Sequence, residues 1–428
     1  MFVLLTIGTG GALVFGPFLG VAVYYLFAVL RPQYMWEWAL LVDLRWSLYV
    51  AIVTILSTGI YFTGGLRGRT FTSTHAAFVG FALWLTMSSI FALNTEISSY
   101  WYWEYLKIFV MFFCATFVVR ELSQIRILYL IAVWALAYIA YEINFLYLFS
   151  RRLDVFHEGY GGLDNNGAGL MIAMGVPMAY FSWQYYRAWW RWIFVALIPM
   201  MIHAVLMTYS RGAMLSLLLI SPLLIVRSPR KRQMIFAMVC GVLLLPVLAG
   251  QEIRARFFSI EQYEKDRSAE SRFSSWKAGL RIANDYPVFG AGVRNSTLVS
   301  HRYGADMIGR AIHSQYIQTA ADSGFPALAF YSLLLFGTWR GLRRTQKRCR
   351  DSDSDEDRLA YNLACGIEGA LAVFCIGAAF LSLEVFELPY LLILLGLKLS
   401  LVAQEEPVEV TSPSPAPKVA YQPHNLPA

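Results

Sequence analysis

The sequence predicts an all-α polytopic integral membrane protein, with about 12 transmembrane helices and one large extracytoplasmic helical loop. Three observations lead there. First, 57% of the 428 residues are hydrophobic and only 15% are charged, whereas a soluble chain carries roughly 25% charge. Second, apolar blocks near the ~20 residues needed to cross a bilayer recur along the chain. Third, the loops between blocks alternate between basic and less basic, the pattern that sets orientation in a membrane. The net charge of +7 therefore reads as loop topology, and a nucleic-acid partner is set aside.

The blocks fall at residues 3–30, 47–62, 75–93, 102–118, 127–148, 168–185, 192–207, 213–226, 235–249, 325–339, 359–380 and 388–401. The first lacks a basic flank and a small-residue cleavage site, so it is expected to be retained and not removed as a signal peptide. Its "FGP" at 15–17 is where it would break into two half-length helices. The basic loops hold Arg67/Arg69, Arg120/Arg126, Arg187/Arg191, "RSPRKR" (227–232) and "RGLRRTQKRCR" (340–350). Between them lie "NTE" (94–96), 151–166, "TYSR" (208–211), 250–312 and "SLEVFE" (382–387), of which only 151–166 departs from the pattern, through Arg151/Arg152. Basic loops lie inside, so both termini are expected in the cytoplasm.

The chain thus divides into N-terminal transmembrane helices (1–249), a large extracytoplasmic loop (250–324), C-terminal transmembrane helices with a basic cytoplasmic loop (325–402) and a Pro-rich tail (403–428), expected to be disordered and cytoplasmic. The five cysteines are scattered without a Cys-x-x-Cys and read as inert thiols. The 250–312 loop is too long for an idle connector. Within it, "RFSSWKAGLRIA" (272–283) spaces Phe273, Trp276 and Leu280 as an amphipathic helix would.

Four features of the outer side carry chemistry. "TYSRGA" (208–213) splits an apolar run too long for one span, so Arg211 falls at the outer surface, at the start of a helix. A helix N-terminus already carries partial positive charge and free N–H groups, so a cation there calls for an anion beside it. The plainer alternative is an arginine reaching headgroup phosphates. From His313 the segment reads as a helix with Ser314, Gln318 and Asp322 on one face, ending at Ser323–Gly324 before Pro326 opens the next span. An imidazole there suits proton transfer, and equally a structural role at a helix end. "NDYPVFGAGVRNS" (284–296) is a Gly-rich turn followed by Arg294, suited to an anion but matching no nucleotide motif. "GLDNNGAGL" (162–170) brings Asp164, Asn165 and Asn166 to the start of a helix, as ligands for sugar hydroxyls or as N-cap residues. The outer segments have no His-x-x-x-His, paired Cys or Asp-x-Asp, and the acidic run 351–357 lies in a cytoplasmic loop. No metal and no cofactor are expected; arginines would hold any anionic leaving group.

With these motifs in order, the chain resembles the O-antigen ligase superfamily, which includes O-antigen polymerases and O-oligosaccharyltransferases. The resemblance runs from about Asp164 to Phe330 on "TYSRGA", "SRFSSWKAG", "YPVFGAGVRN" and "HSQYIQTAADSGFPAL". With "GLDNNG" and "EKDRSAESRF" it is most similar to the branch of O-glycosylation ligases that accompany exosortase systems. It implies metal-free glycan transfer from undecaprenyl pyrophosphate to a hydroxyl of a protein or lipid acceptor, on the outer face of the bacterial plasma membrane, with inversion. It further implies pyrophosphate binding by Arg211 and Arg272, with Arg294 as a third cation by position. His313 would be the base, Asp164 its reserve, and Asn165 and Asn166 glycan contacts. Two departures stand out: Ser314 where the family has Asn, and Asp322 one position early.

Two other readings stay open. One is a polymerase of the same superfamily. The other is a lipid-linked sugar flippase or transporter, which would place charges near the bilayer midplane; Glu142, His203 and Glu368 are the in-span ionisable groups, explained as lone polar groups facing the bundle interior.

Overall fold

A computed structural model describes residues 2–35, 46–61, 71–150, 155–248, 267–383 and 385–403. Among these the chain is helical, and its one β feature is an isolated bridge between Tyr160 and Leu163. Five helices are long and apolar enough to cross a membrane: Thr95–Val118, Leu122–Phe149, Trp189–Met207, Gln315–Cys349 and Asp355–Ala378. The other expected blocks also form helices, including Ser73–Ile90, Asn165–Tyr185, Arg211–Arg227, Lys231–Leu248 and Glu387–Val402. The protein is an α-helical membrane protein, and the expected count of about twelve spans goes beyond what helix length alone supports. The expected tail and residues 249–266 of the loop lie outside the described residues.

The first apolar block breaks at its "FGP". Gly16 takes φ 105°, a conformation that glycine adopts without strain, and Pro17 opens the second helix. The helices Phe2–Phe15 and Pro17–Leu30 run antiparallel, with Gly8 against Val23 and Gly11 against Leu19. Each has 14 residues, or about 21 Å of rise against a hydrocarbon core of about 30 Å. The free carbonyls at the end of the first helix are met by hydroxyls from helix Trp46–Tyr61: Ser57 donates to Ala12, and Tyr61 to Leu13 (2.9 Å) and Val14 (3.0 Å). Phe2 and Leu30 therefore lie at the same end of the bundle. A cytoplasmic N-terminus, which came from counting 3–30 as one crossing, does not follow from this geometry.

Helix Asn165–Tyr185 is buried along most of its length and forms the centre of the bundle, between Trp192–Met207 and Asp355–Ala378. Small residues set the approach: Gly369 meets Pro177, Gly377 meets Leu170, and Gly366 meets the Tyr129 ring. The in-span ionisable groups have partners. Glu368 accepts from Arg227 at 2.7 and 3.0 Å, from Gln346 at 2.7 Å and from Trp339 at 3.1 Å. Glu142 accepts from Tyr138 at 3.2 Å and from Tyr160, while His203 bonds to Asn144. The reading of these three as lone groups is corrected: each ties elements that are distant in sequence.

Helix Gln315–Cys349 kinks at Gly324 (φ 81°), the expected boundary. A Cβ at Gly324 would stand 2.1 Å from the Val288 carbonyl oxygen, and one at Gly290 2.2 Å from the Asp322 carbonyl carbon. The Gly-rich turn thus lies directly on the end of the 315–323 helix, through Ala291 N–H to Ala321 O (2.9 Å) and Gly292 N–H to Asp322 O (2.8 Å).

Candidate functional site

The site grows from the amino end of the central helix. Asp164 is its N-cap, accepting from the Gly167 N–H at 2.7 Å. The preceding turn, with Gly161 at φ 61° and Gly162 at φ 71°, is tied back through the Tyr160 hydroxyl to Glu142. Asn165 donates to the Thr208 carbonyl (3.1 Å), Asn166 donates to Asn165 (2.9 Å), and Ser210 donates to Asn166 (3.0 Å). Both asparagines use these groups to hold the "TYSR" turn. Gly169 permits the closeness, since a Cβ there would lie 2.5 Å from the Thr208 hydroxyl.

The turn itself is strained at Tyr209 (φ 53°) and then enters helix Arg211–Arg227, whose N-cap Ser210 accepts from Ala213 N–H at 3.3 Å. Arg211 is therefore the first helical residue and half-buried, at the helix start as expected.

Helix Arg267–Asp285 carries Arg272. Its packed face is Ser275, Ala278, Gly279 and Ile282, whereas Phe273 and Leu280 are 45% and 47% exposed. The expected helix forms, and its protein-packed side is the small-residue one: Gly279 packs on Ile312 and Ile317, a closeness that selects small residues, and only Trp276 of the apolar stripe turns partly inward. Two donors on this helix hold the residues before helix 315–349. Ser275 donates to the Ile312 carbonyl and the Trp276 indole to the His313 carbonyl, both at 3.1 Å. They fix His313 in a left-handed backbone conformation, φ 56°.

The His313 imidazole is half-buried. Burial first, then the Arg272 and Arg310 cations, push its pKa below the ordinary 6.5, while Asp164 and Asp306 pull it back up. At neutral pH it is an uncharged imidazole, able to take a proton. Arg272 and Asp164, distant in sequence, thus both act on His313. The turn that leads into Arg211 is held to the start of the helix that Asp164 caps, through Asn165 to the Thr208 carbonyl and Ser210 to Asn166; these bonds place the backbone of the turn beside that helix start. Arg310, paired with Asp306, belongs to this neighbourhood without having been singled out in the sequence, where a basic residue three before His313 was the available signal; Trp276, read there only as part of an apolar stripe, holds the His313 backbone.

Arg294 stands in a second cluster. Its backbone is left-handed (φ 65°), its guanidinium lies 4.4 Å from the Trp101 ring centre, and its charge acts on Asp322. Asp322 is buried and accepts from the Ser296 N–H (2.8 Å) and Gln318 (3.2 Å), so it anchors the Gly-rich turn. From His313 to Asp322 the chain advances about 13 Å if helical throughout.

The O-antigen ligase family profile matches residues 196–332. No curated protein matches the chain. The matched segment holds Arg211, Arg272, Arg294 and His313, while Asp164, Asn165 and Asn166 precede it. This match, over the segment that builds most of the candidate site, supports placing the chain in the O-antigen ligase superfamily as a ligase- or polymerase-type membrane enzyme.

Proposed function

We propose that the protein transfers a glycan from undecaprenyl pyrophosphate to a hydroxyl of a protein or lipid acceptor on the outer face of the bacterial plasma membrane. The observation that carries this reading is His313, a half-buried imidazole on which Arg272 and Asp164 both act, in a segment similar to O-antigen ligases. The acceptor oxygen attacks the anomeric carbon, and the bond from that carbon to the pyrophosphate oxygen breaks with its electron pair going to the phosphate. His313 takes the hydroxyl proton, with Asp164 favouring the imidazolium that forms. Arg211 and Arg272 hold the pyrophosphate and bind it more strongly as its charge grows. Attack opposite the leaving group inverts the anomeric centre. In this reading Asn165 and Asn166 shape the site and face the glycan, and Arg294 steadies the Gly-rich turn at its margin.

The motif order "GLDNNG", "TYSRGA", "EKDRSAESRF" supports the O-glycosylation ligase branch that accompanies exosortase systems. The alternation of loop charge supports an outward-facing site and a cytoplasmic tail. The partners of Glu142, His203 and Glu368 favour an enzyme over a transporter, since these groups act as ties between helices.

The test is transfer by the purified protein from a lipid-pyrophosphate glycan with EDTA present. Wild type retains activity, and His313→Ala and Arg211→Ala each lose at least about 100-fold. Full transfer by both variants would sink the site. Activity lost in EDTA and restored by a divalent ion would sink the metal-free route. A longer lipid-linked glycan as product would make the protein a polymerase.

A further inference from the structure

A second concavity lies on the cap formed by residues 267–323, away from His313. Leu93 and Asn94, in the turn between helices 73–90 and 95–118, face Tyr286, Leu298, Val299, Arg302 and Tyr303 across a cleft of about 560 Å³. The cleft is built in advance of any ligand. Tyr286, Val299 and Tyr303 pack on a small separate core of Ile282, Ala291 and Ala321. Arg281 holds the 300–303 turn by donating to the Tyr303 carbonyl at 2.8 Å. On the opposite wall, Leu93 N–H donates to the Ala291 carbonyl (2.9 Å) and Asn295 to the Asn94 carbonyl (3.0 Å).

Two tyrosine rings backed by a core, beside the exposed Arg302 guanidinium and the Asn94 amide, make a surface suited to sugars. The C–H face of a pyranose packs on an aromatic ring, while its hydroxyls bond to the polar rim. Tyr286 directly follows helix 267–285, which carries Arg272, and from Arg272 to the end of that helix the rise is about 20 Å. A sugar in the cleft is therefore several residues removed from the bond being broken. We propose that this cleft is a carbohydrate subsite that binds a distal part of the glycan and selects for chain length. The inference rests on the glycan-transfer reading above.

The test compares native lipid-linked glycan extracted from the producing cells with the same glycan trimmed to its first sugars. Tyr303→Ala and the exposed-site variant Arg302→Ala should each raise KM for the full glycan about tenfold at unchanged kcat. Neither should change KM for the trimmed glycan, and Tyr303→Phe, which keeps the ring, should stay near wild type. Thermal unfolding in detergent guards against a folding defect, and Arg302→Ala carries the test if Tyr303→Ala misfolds. Equal loss with both glycans, as for a protein-acceptor contact, would overturn the subsite, as would no loss with either. Each of those outcomes leaves transfer by the wild type intact, whereas no transfer by wild type takes down the transfer reading and this one together.

Discussion

His313 shows how burial and neighbouring charges together set one proton affinity. Burial and the Arg272 and Arg310 cations disfavour the imidazolium, while Asp164 and Asp306 favour it. The proposed base must be unprotonated, so activity should fall as pH drops through the His313 pKa, which burial and the nearby cations hold below the ordinary 6.5. Removing a neighbouring cation raises that pKa; removing a neighbouring anion lowers it. Arg310→Gln should therefore move the acid limb of the kcat/KM profile upward, and Asp164→Asn should move it downward on whatever activity remains. Profiles that shift together, or not at all, would remove His313 from the proton path. The position of His313 near the start of a helix was legible in the sequence, as was Arg211 at the start of another. That Arg272 and Asp164 both act on His313 was not, because nothing local records which loop residues meet.

At the scale of elements, the kink at Gly324 and the turn at Gly290 decide whether the cap formed by residues 267–323 seats on the bundle. Both glycines have positive φ, and both leave room for backbone that any side chain would fill. Gly290→Ala should destabilise the protein by about 1–3 kcal/mol, seen as a lower midpoint of thermal unfolding, with transfer reduced in step. Unchanged stability would mean that the cap does not depend on this approach. The Ser323–Gly324–Pro326 boundary could be read directly, since those residue types punctuate helices by their own backbone preferences. The packed face of helix 267–285 could not. Its large residues Phe273 and Leu280 mark a stripe, yet the bundle accepts the side with Ser275, Ala278 and Gly279, where the backbones come closest.

For the whole molecule, two ties test the architecture. Glu368 is 2% exposed and depends on Arg227 for its charge partner. Arg227→Leu should cost about 3–5 kcal/mol by stranding that carboxylate, and the double change with Glu368→Met should recover most of it. No recovery would mean that the pair does more than neutralise itself. The hairpin of residues 2–30 predicts that Phe2 shares the side of Leu30. A cysteine at Thr6 in a cysteine-free background should therefore react with a membrane-impermeant maleimide from the outside of intact cells, as one in the 382–387 loop would. Labelling only after permeabilisation would restore a single crossing.

Composition and block spacing by themselves determined that this is a helical membrane protein, because insertion depends on summed hydropathy, a one-dimensional quantity. They also located the turn at "TYSRGA" and the break at "FGP", where backbone preference acts locally. Only the tertiary structure decided that 3–30 doubles back, that Glu142, His203 and Glu368 have partners, that Arg294 lies over the Trp101 ring, and that the charges of Arg272 and Asp164 both act on His313. Those are contacts between residues far apart along the chain, set by how helices pack against one another.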